Sequence, residues 1–492
     1  MIEDGGFLHP RTYAERYYVQ YPHLTVAAWP PVFYSIEALL FGLLGISSVT
    51  AKLAVLLFSL LGINMFFLLC RLWFPLGLSV IASILCLLQP VMLFGQKNVM
   101  LEMPALAVSI AALYCLYIGT ERNNSWALFF TPLFMALAFL TKQSAVFLLP
   151  MWLLWMILGK EWHTIWSRSF VSGVLVGAVA LIPWIIISFT SSRFYVSSAV
   201  FKARHIWPNF LSYMKDSSEI VSTMVILLSI ASITLFTKLR SRRGYTFALM
   251  WAGTVSLCLL LYDKRIVSPE PRQAIFLVPA LIILCMEAML FFKKNAESFL
   301  RGRRAFSIVL IILICLHLSP EKLWGGPDIQ GFDKAADFVV KDLDCVSVLY
   351  DGYFSANFVF HMRARDKDRR VFVFRSSKVV YSTKWLLHFD YNELITEESE
   401  FFELLDRYSI KYIVQEEKDF LGTPAIERLR QWVQKEGFTV VEEHSIDCRA
   451  LSSFGSLVVY EYLDYEAKPI RRIDLDMPVL GRQLSVEVQK GM

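Results

Sequence analysis

Charge is scarce in this 492-residue chain: Asp, Glu, Lys and Arg together make 18% of it, against 56% hydrophobic and 14% aromatic residues. A chain this long with ordinary composition would fold as about three soluble domains, but a mean hydropathy of +0.49 moves it to another class. The net charge of +5 therefore says nothing of nucleic acid, and no nucleic-acid partner is expected. Cysteine is sparse too. Six of the eight (Cys70, Cys86, Cys115, Cys258, Cys285, Cys315) fall in or beside apolar runs, where a thiol behaves as a small hydrophobe. No Cys-x-x-Cys pair or His/Cys cluster occurs, which leaves a structural zinc site without ligands. Only Cys345 and Cys448 lie in polar sequence; a disulfide between them is one reading, two unpaired strand-edge thiols the other. Internal repeats and low-complexity segments are absent as well.

What the chain has is long apolar runs. Charges avoid them, as they must when each costs about 2.5–3.5 kcal/mol at mid-bilayer. Residues 31–45 form a short run interrupted by Glu37, suited to a juxtamembrane helix at the interface. Ten longer runs follow at 49–70, 77–95, 100–118, 126–141, 143–158, 169–189, 219–237, 245–262, 272–292 and 304–319. The expectation is a polytopic α-helical membrane protein with about 10–11 spans. Alternate loops carry Arg71, Arg122, Lys160 with Arg168, the basic cluster 238–243, and Lys293 to Arg304, and basic loops stay cytoplasmic. The opening stretch, 96–100, 190–218, 263–271 and everything after about 320 are then outside.

From Pro320 the composition turns soluble. Strand-like runs at 345–350, 371–375, 410–415, 438–442 and 456–462 alternate with helical patterns at 332–341, 397–408 and 424–436, which predicts an α/β domain outside the cytoplasm. The expected division is an external loop with juxtamembrane helix over 1–48, a transmembrane core over 49–319 and the soluble domain over 320–492.

The opening stretch is polar, aromatic and punctuated by proline. Glu3 and Asp4 precede Gly5-Gly6, and Trp29-Pro30-Pro31 leads into the juxtamembrane run, where proline fits a first helical turn. Glu102 sits at the outer edge of a span in Met100-Leu-Glu-Met-Pro104. Further on come Thr141-Lys142-Gln143 and Pro271-Arg272 with Phe276-Leu-Val-Pro279.

In that order, on one membrane face, these elements resemble the GT-C glycosyltransferases of the protein O-mannosyltransferase and aminoarabinose transferase type, over roughly residues 1–292. In that family an acidic pair, usually Asp-Glu, stands in a first external loop before a Pro-Pro juxtamembrane helix ending in a glycine turn, here Phe41-Gly42 or Leu44-Gly45. Glu102 resembles the second acidic site, 141–143 a Thr-Lys-Gly tripeptide and 271–279 an Arg-Tyr-Leu-Leu-Pro segment. The sequence departs from the pattern in its Glu-Asp order, in Gln143 and in the first helix, which is expected upstream of Met1.

The resemblance implies sugar transfer from a polyprenyl phosphate to a lipid, glycan or protein acceptor at the outer face of the plasma (inner) membrane, within the cell envelope. That reaction needs a base for the acceptor hydroxyl and cations for the leaving phosphate. The resemblance selects Asp4 as base over Glu3; the plain alternative is a solvated N-terminal carboxylate. Glu102 is expected either to place the acceptor or hold a divalent cation, or to form a structural pair with Lys97 or Lys142. Lys142, Arg272, Lys97 and the Arg204-His205 pair are the phosphate candidates. Cations at a membrane edge also snorkel to headgroups. A transporter is the competing class, but it would favour repeated halves and mid-bilayer charges. A lipid-linked oligosaccharide polymerase or ligase would favour a larger external loop than 190–218.

Overall fold

The computed structural model describes residues 10–22, 30–159, 161–191, 205–239, 242–261, 270–296, 331–382, 391–417, 422–446, 455–477 and 482–488. Glu3, Asp4, Trp29, Arg204, the run 304–319 and Cys448 lie outside the described residues. The chain divides into an α/β unit (Met1–Ala28, Ser188–Ser197, Pro327–Met492) and a helical unit (Trp29–Ile187, Ser198–Gly326).

In chain order, helix α1 spans Pro10–Gln20, α2 Val32–Leu44, α3 Ser48–Cys70, α4 Leu76–Leu87, α5 Pro90–Lys97, α6 Glu102–Glu121 and α7 Ser125–Phe139. Then come α8 (Leu148–Gly159), α9 (Arg168–Ser191), α10 (Ile206–Lys215), α11 (Thr223–Thr234), α12 (Arg243–Leu261) and α13 (Val278–Ala296). All nine of the expected apolar runs that fall on described residues are helical. Among the described residues five helices are long and apolar enough to cross a membrane, at 48–70, 102–121, 168–186, 243–261 and 271–292. The apolar pair α4 and α5, bent by 67°, has the form of a broken span or a re-entrant loop. Pro90 causes the break, because it has no N–H to donate and its ring crowds the preceding turn. Buried Gln89 fills the gap, donating to the Leu85 carbonyl at 2.7 Å and accepting from the Ser222 N–H at 2.9 Å. The runs 126–141 and 143–158 are shorter than a span. Between them Lys142 takes an extended backbone, φ −155° and ψ 131°, which ends the α-helical path.

Small residues set the helix spacing where membrane helices pack without a hydrophobic drive between them. A Cβ on Gly173 of α9 would stand 2.1 Å from the Phe129 carbonyl oxygen of α7. The juxtamembrane helix α2 ends at Gly45, whose φ of 83° is a left-handed conformation that side chains resist. Gly45, rather than Gly42, therefore supplies the expected turn. The expected loop 190–218 also holds a helix, α10, whose Trp207, Phe210 and Leu211 are exposed.

In the α/β unit, α14 (Phe332–Lys341), β1 (Ser347–Asp351), α15 (Ser355–Arg365), β2 (Phe372–Arg375), α16 (Glu398–Arg407), β3 (Ile410–Glu416), α17 (Pro424–Val433), β4 (Phe438–Ser445) and β5 (Ser456–Tyr462) build the main sheet and its covering helices. The strand order is β2-β1-β3-β5-β4, parallel across the first three and antiparallel across the rest. The α14–α15 side chains Phe332 and Phe358 cover one face, and Phe401 of α16 with Leu429 of α17 the other. Burial on both faces explains the apolar runs in β1 and β3. All five expected strands are present. A hairpin of β6 (Arg472–Met477) and β7 (Arg482–Glu487) completes the unit. Cys345 is buried, and the other half of the expected alternative, Cys448, lies outside the described residues.

Within the stretch expected as an external loop, Pro10–Gln20 form a helix that packs into the α/β unit. Tyr18 and Val19 join the core of Phe374, Leu475 and Leu484, while Tyr21 joins that of Phe332, Val371 and Val373. Tyr21 Oη donates to Asp366 at 3.3 Å, and Arg375 donates to the Pro22 carbonyl at 3.2 Å. Tyr18, Val19 and Tyr21 of this stretch are buried against protein.

Replacing Gly173 with valine is expected to force α7 and α9 apart and cost about 1–3 kcal/mol, read as a lower thermal midpoint in detergent. Gly253, where an added Cβ would have nothing within 4 Å, accepts alanine with a gain of about 0.5–1 kcal/mol.

Candidate active site

Glu102 opens α6, where the unpaired N–H groups of a first turn stabilise a carboxylate by about 0.3–1 kcal/mol. It is 3% exposed, too buried to stay charged without partners. Lys142 Nζ lies 2.5 Å from its Oε1. Arg272 Nε approaches the same oxygen at 3.6 Å. Of the two expected lysine partners the structure supplies Lys142, and the second cation at this carboxylate is Arg272.

Local structure explains why residues so far apart in sequence meet. Lys142 has extended backbone and caps a 3-10 turn over Gln143–Phe147, and Arg272 lies in the first turn of another over Pro271–Leu277. Phe147 and Phe276, one from each turn, pack with ring centroids 5.3 Å apart. Each turn thus carries its cation toward the N-terminus of α6. The Val32 N–H at the start of α2 donates to the Leu140 carbonyl at 3.1 Å, which ties the Pro30-Pro31 corner to the segment carrying Lys142. Pro30 is buried and Pro31 exposed. Lys97 ends α5, five residues before Glu102. His205 is buried and precedes α10, which is tied to the second turn by a 2.9 Å hydrogen bond from Tyr213 Oη to Gln273.

Three functional candidates carried no weight in the sequence. Glu270 pairs directly with Arg272 Nε, and both side chains are more than a third exposed. Its signal was the Glu270-Pro-Arg272 spacing just before an apolar run. Tyr34 and Glu37 of α2 face the same region. Burial, with the carboxylates of Glu37 and Glu102 nearby, pushes the Tyr34 phenol up to about 12. Burial pushes the Glu37 carboxyl up to about 7. Glu37 was visible only as an interruption of a hydrophobic run. Among the described residues no three of His, Cys, Asp and Glu gather in a group that would hold a metal ion. Glu102 itself is engaged by two cations, so these residues do not fit the divalent-cation alternative.

Residues 28–187 match the family described as dolichyl-phosphate-mannose-protein mannosyltransferase. That stretch contains the Pro-Pro corner, Lys97, Glu102 and Lys142, while Arg272 lies beyond it. No curated protein matches the chain. Among solved structures it is similar to ArnT from Cupriavidus metallidurans in the apo state, with a TM-score of 0.57, 15% identity and 93% of each chain covered. The same protein bound to undecaprenyl phosphate gives 0.56, 15% and 93% of each chain. The Archaeoglobus fulgidus oligosaccharyltransferase is similar at a TM-score of 0.52 and 11% identity, over 81% of this chain and 60% of that one. At such identities the likeness is one of fold.

The raised Glu37 value makes a signed prediction. An ordinary carboxyl ionises near 4.5 when unfolded, while the folded group holds its proton to about 7. Between those values folding must keep a proton that the unfolded chain has lost, so stability falls as pH rises through the window. Glu37→Gln is expected to raise the thermal midpoint at pH 8 and change it little at pH 4; equal effects at both would count against the shift.

Proposed function

We infer that this chain, a polytopic membrane glycosyltransferase of the GT-C fold, moves a sugar from a polyprenyl-phosphate carrier to a lipid, glycan or protein acceptor at the outer face of the plasma (inner) membrane. The observation that carries the reading is the convergence of Lys142 and Arg272 on Glu102 at the N-terminal end of a membrane-length helix. A pair of cations at a membrane edge suits the phosphate of a lipid carrier, whose chain stays in the bilayer. The ArnT structure bound to undecaprenyl phosphate supports this class of carrier. Lys97, Arg204 and His205 stand as further candidates for that phosphate.

In the transfer an acceptor hydroxyl oxygen attacks the anomeric carbon. The bond from that carbon to the phosphate oxygen breaks, and its electron pair leaves on the phosphate. Asp4, or less directly Glu3, takes the hydroxyl proton, which a carboxylate at the reaction centre does with a gain of about 10²–10⁴-fold. Lys142 and Arg272 offset the charge growing on the departing phosphate. A phosphate is a good leaving group, so no strong acid is required behind it. Glu102 touches both cations and is assigned their placement. The transporter alternative is disfavoured by the family match and by a carboxylate held at a helix end rather than at mid-bilayer.

Asp4→Asn is expected to lower transfer of radiolabelled sugar from a polyprenyl-phosphate pool by at least about 100-fold, with insertion and donor binding retained. Asn keeps the size of Asp but cannot accept the proton. Lys142→Ala and Arg272→Ala should act mainly on donor KM, by about tenfold, and Glu102→Gln should cost less than Asp4→Asn. Normal transfer by Asp4→Asn at normal expression would remove the base. Topology has its own check. Alkaline phosphatase fused after residue 330 should be active and fused near Arg243 inactive, and the reverse pattern would place the α/β unit in the cytoplasm.

A further inference from the structure

Lys142 and Arg272 meet two carboxylates, Glu102 and Glu270. Cations engaged by protein carboxylates attract a phosphate only weakly. One carboxylate must give way for both cations to face the ligand.

The two are not equivalent. The Glu102 side chain is 4% exposed, belongs to a helix N-terminus and holds Lys142 at 2.5 Å. The Glu270 side chain is 39% exposed and sits on an extended residue just ahead of the 3-10 turn, outside any helix. Rotating Glu270 into solvent breaks only a partly exposed ion pair, which contributes little. Rotating Glu102 would strand a buried charge, which is far more expensive. Glu270 is therefore the one that leaves.

We propose that Glu270 is a displaceable counter-ion of Arg272 that competes with the carrier phosphate and sets how tightly the site holds product relative to donor. The inference rests on the phosphate role given above to Lys142 and Arg272. The donor is a phosphodiester with one negative charge, whereas the polyprenyl phosphate left after transfer is a monoester whose second proton is lost near pH ~6. At pH 7.5 the product carries almost one charge more. An Arg272 without its Glu270 counter-ion would bind that product more tightly than the donor and slow turnover. Glu270, returning to Arg272, opposes the more charged ligand most.

The test is equilibrium binding of undecaprenyl phosphate to the purified full-length protein in detergent at pH 7.5. It is paired with product inhibition of transfer. Glu270→Gln is expected to bind undecaprenyl phosphate about three- to tenfold tighter than wild type, as loss of one competing charge implies. Product inhibition should strengthen by the same factor, donor KM should move less, and the binding difference should shrink at pH 5.5, where the product loses its second charge. On top of Arg272→Ala, the further change Glu270→Gln should leave binding where it is, because the counter-ion then has no cation to release. Wild-type binding that is weakened by Arg272→Ala but equal or weaker in Glu270→Gln would overturn the displacement alone. No binding by wild type would overturn the phosphate site and this inference with it.

Discussion

A carboxylate buried at the end of a membrane-length helix constrains everything around it. Glu102 is 3% exposed, and leaving such a group ionised without partners costs several kcal/mol. Cations must reach it, and the helical unit is bent to bring them. The Thr141–Lys142 turn breaks the path between α7 and α8, and Pro271 starts a 3-10 turn ahead of α13. Both breaks would be faults in a simple bundle. Here they place Lys142 and Arg272 on one oxygen.

The same requirement gives the site its chemistry. In the phosphate role proposed for them, Lys142 and Arg272 are held in position by a buried anion, so a phosphate would meet donors that need little rearrangement. In the proposed displacement the charge balance is adjusted by a second, exposed carboxylate, Glu270, whose pair with Arg272 is cheap to break. Permanent attraction and release are thereby assigned to different residues. Glu37, a carboxyl held near neutrality by burial, adds a third acidic group of different character on the juxtamembrane helix.

The α/β unit contributes by holding the chain's beginning. Tyr18, Val19 and Tyr21 are buried in its two cores, and Arg375 fixes the Pro22 carbonyl. The next described stretch belongs to the helical unit, where the Val32 N–H is bonded to Leu140. Residues 10–22 therefore belong energetically to the C-terminal unit although they open the sequence. Apolar residues in a short polar stretch do not say what buries them; a membrane surface and a protein core remove the same area from water.

Much was legible without coordinates. Apolar length and sparse charge determine a polytopic membrane protein, because each misplaced charge in lipid is costly. Alternation of strand and helix patterns determines the α/β unit, since the period of burial follows the backbone geometry; β1 through β5 and α14, α16 and α17 all stand where those patterns lie. The helix α15 and the β6–β7 hairpin were not foreseen, α15 because its apolar residues Phe358, Val359 and Met362 are few among cations. Glu102, Lys142 and Arg272 were each visible as charges at the edges of apolar runs. What only the tertiary structure decided is their meeting, together with the choice of Arg272 over Lys97 as a cation on Glu102 and the docking of residues 10–22 on the α/β unit. Those outcomes depend on contacts between segments 40 to about 350 residues apart, and no local periodicity encodes which distant surface a charged or aromatic side chain will find.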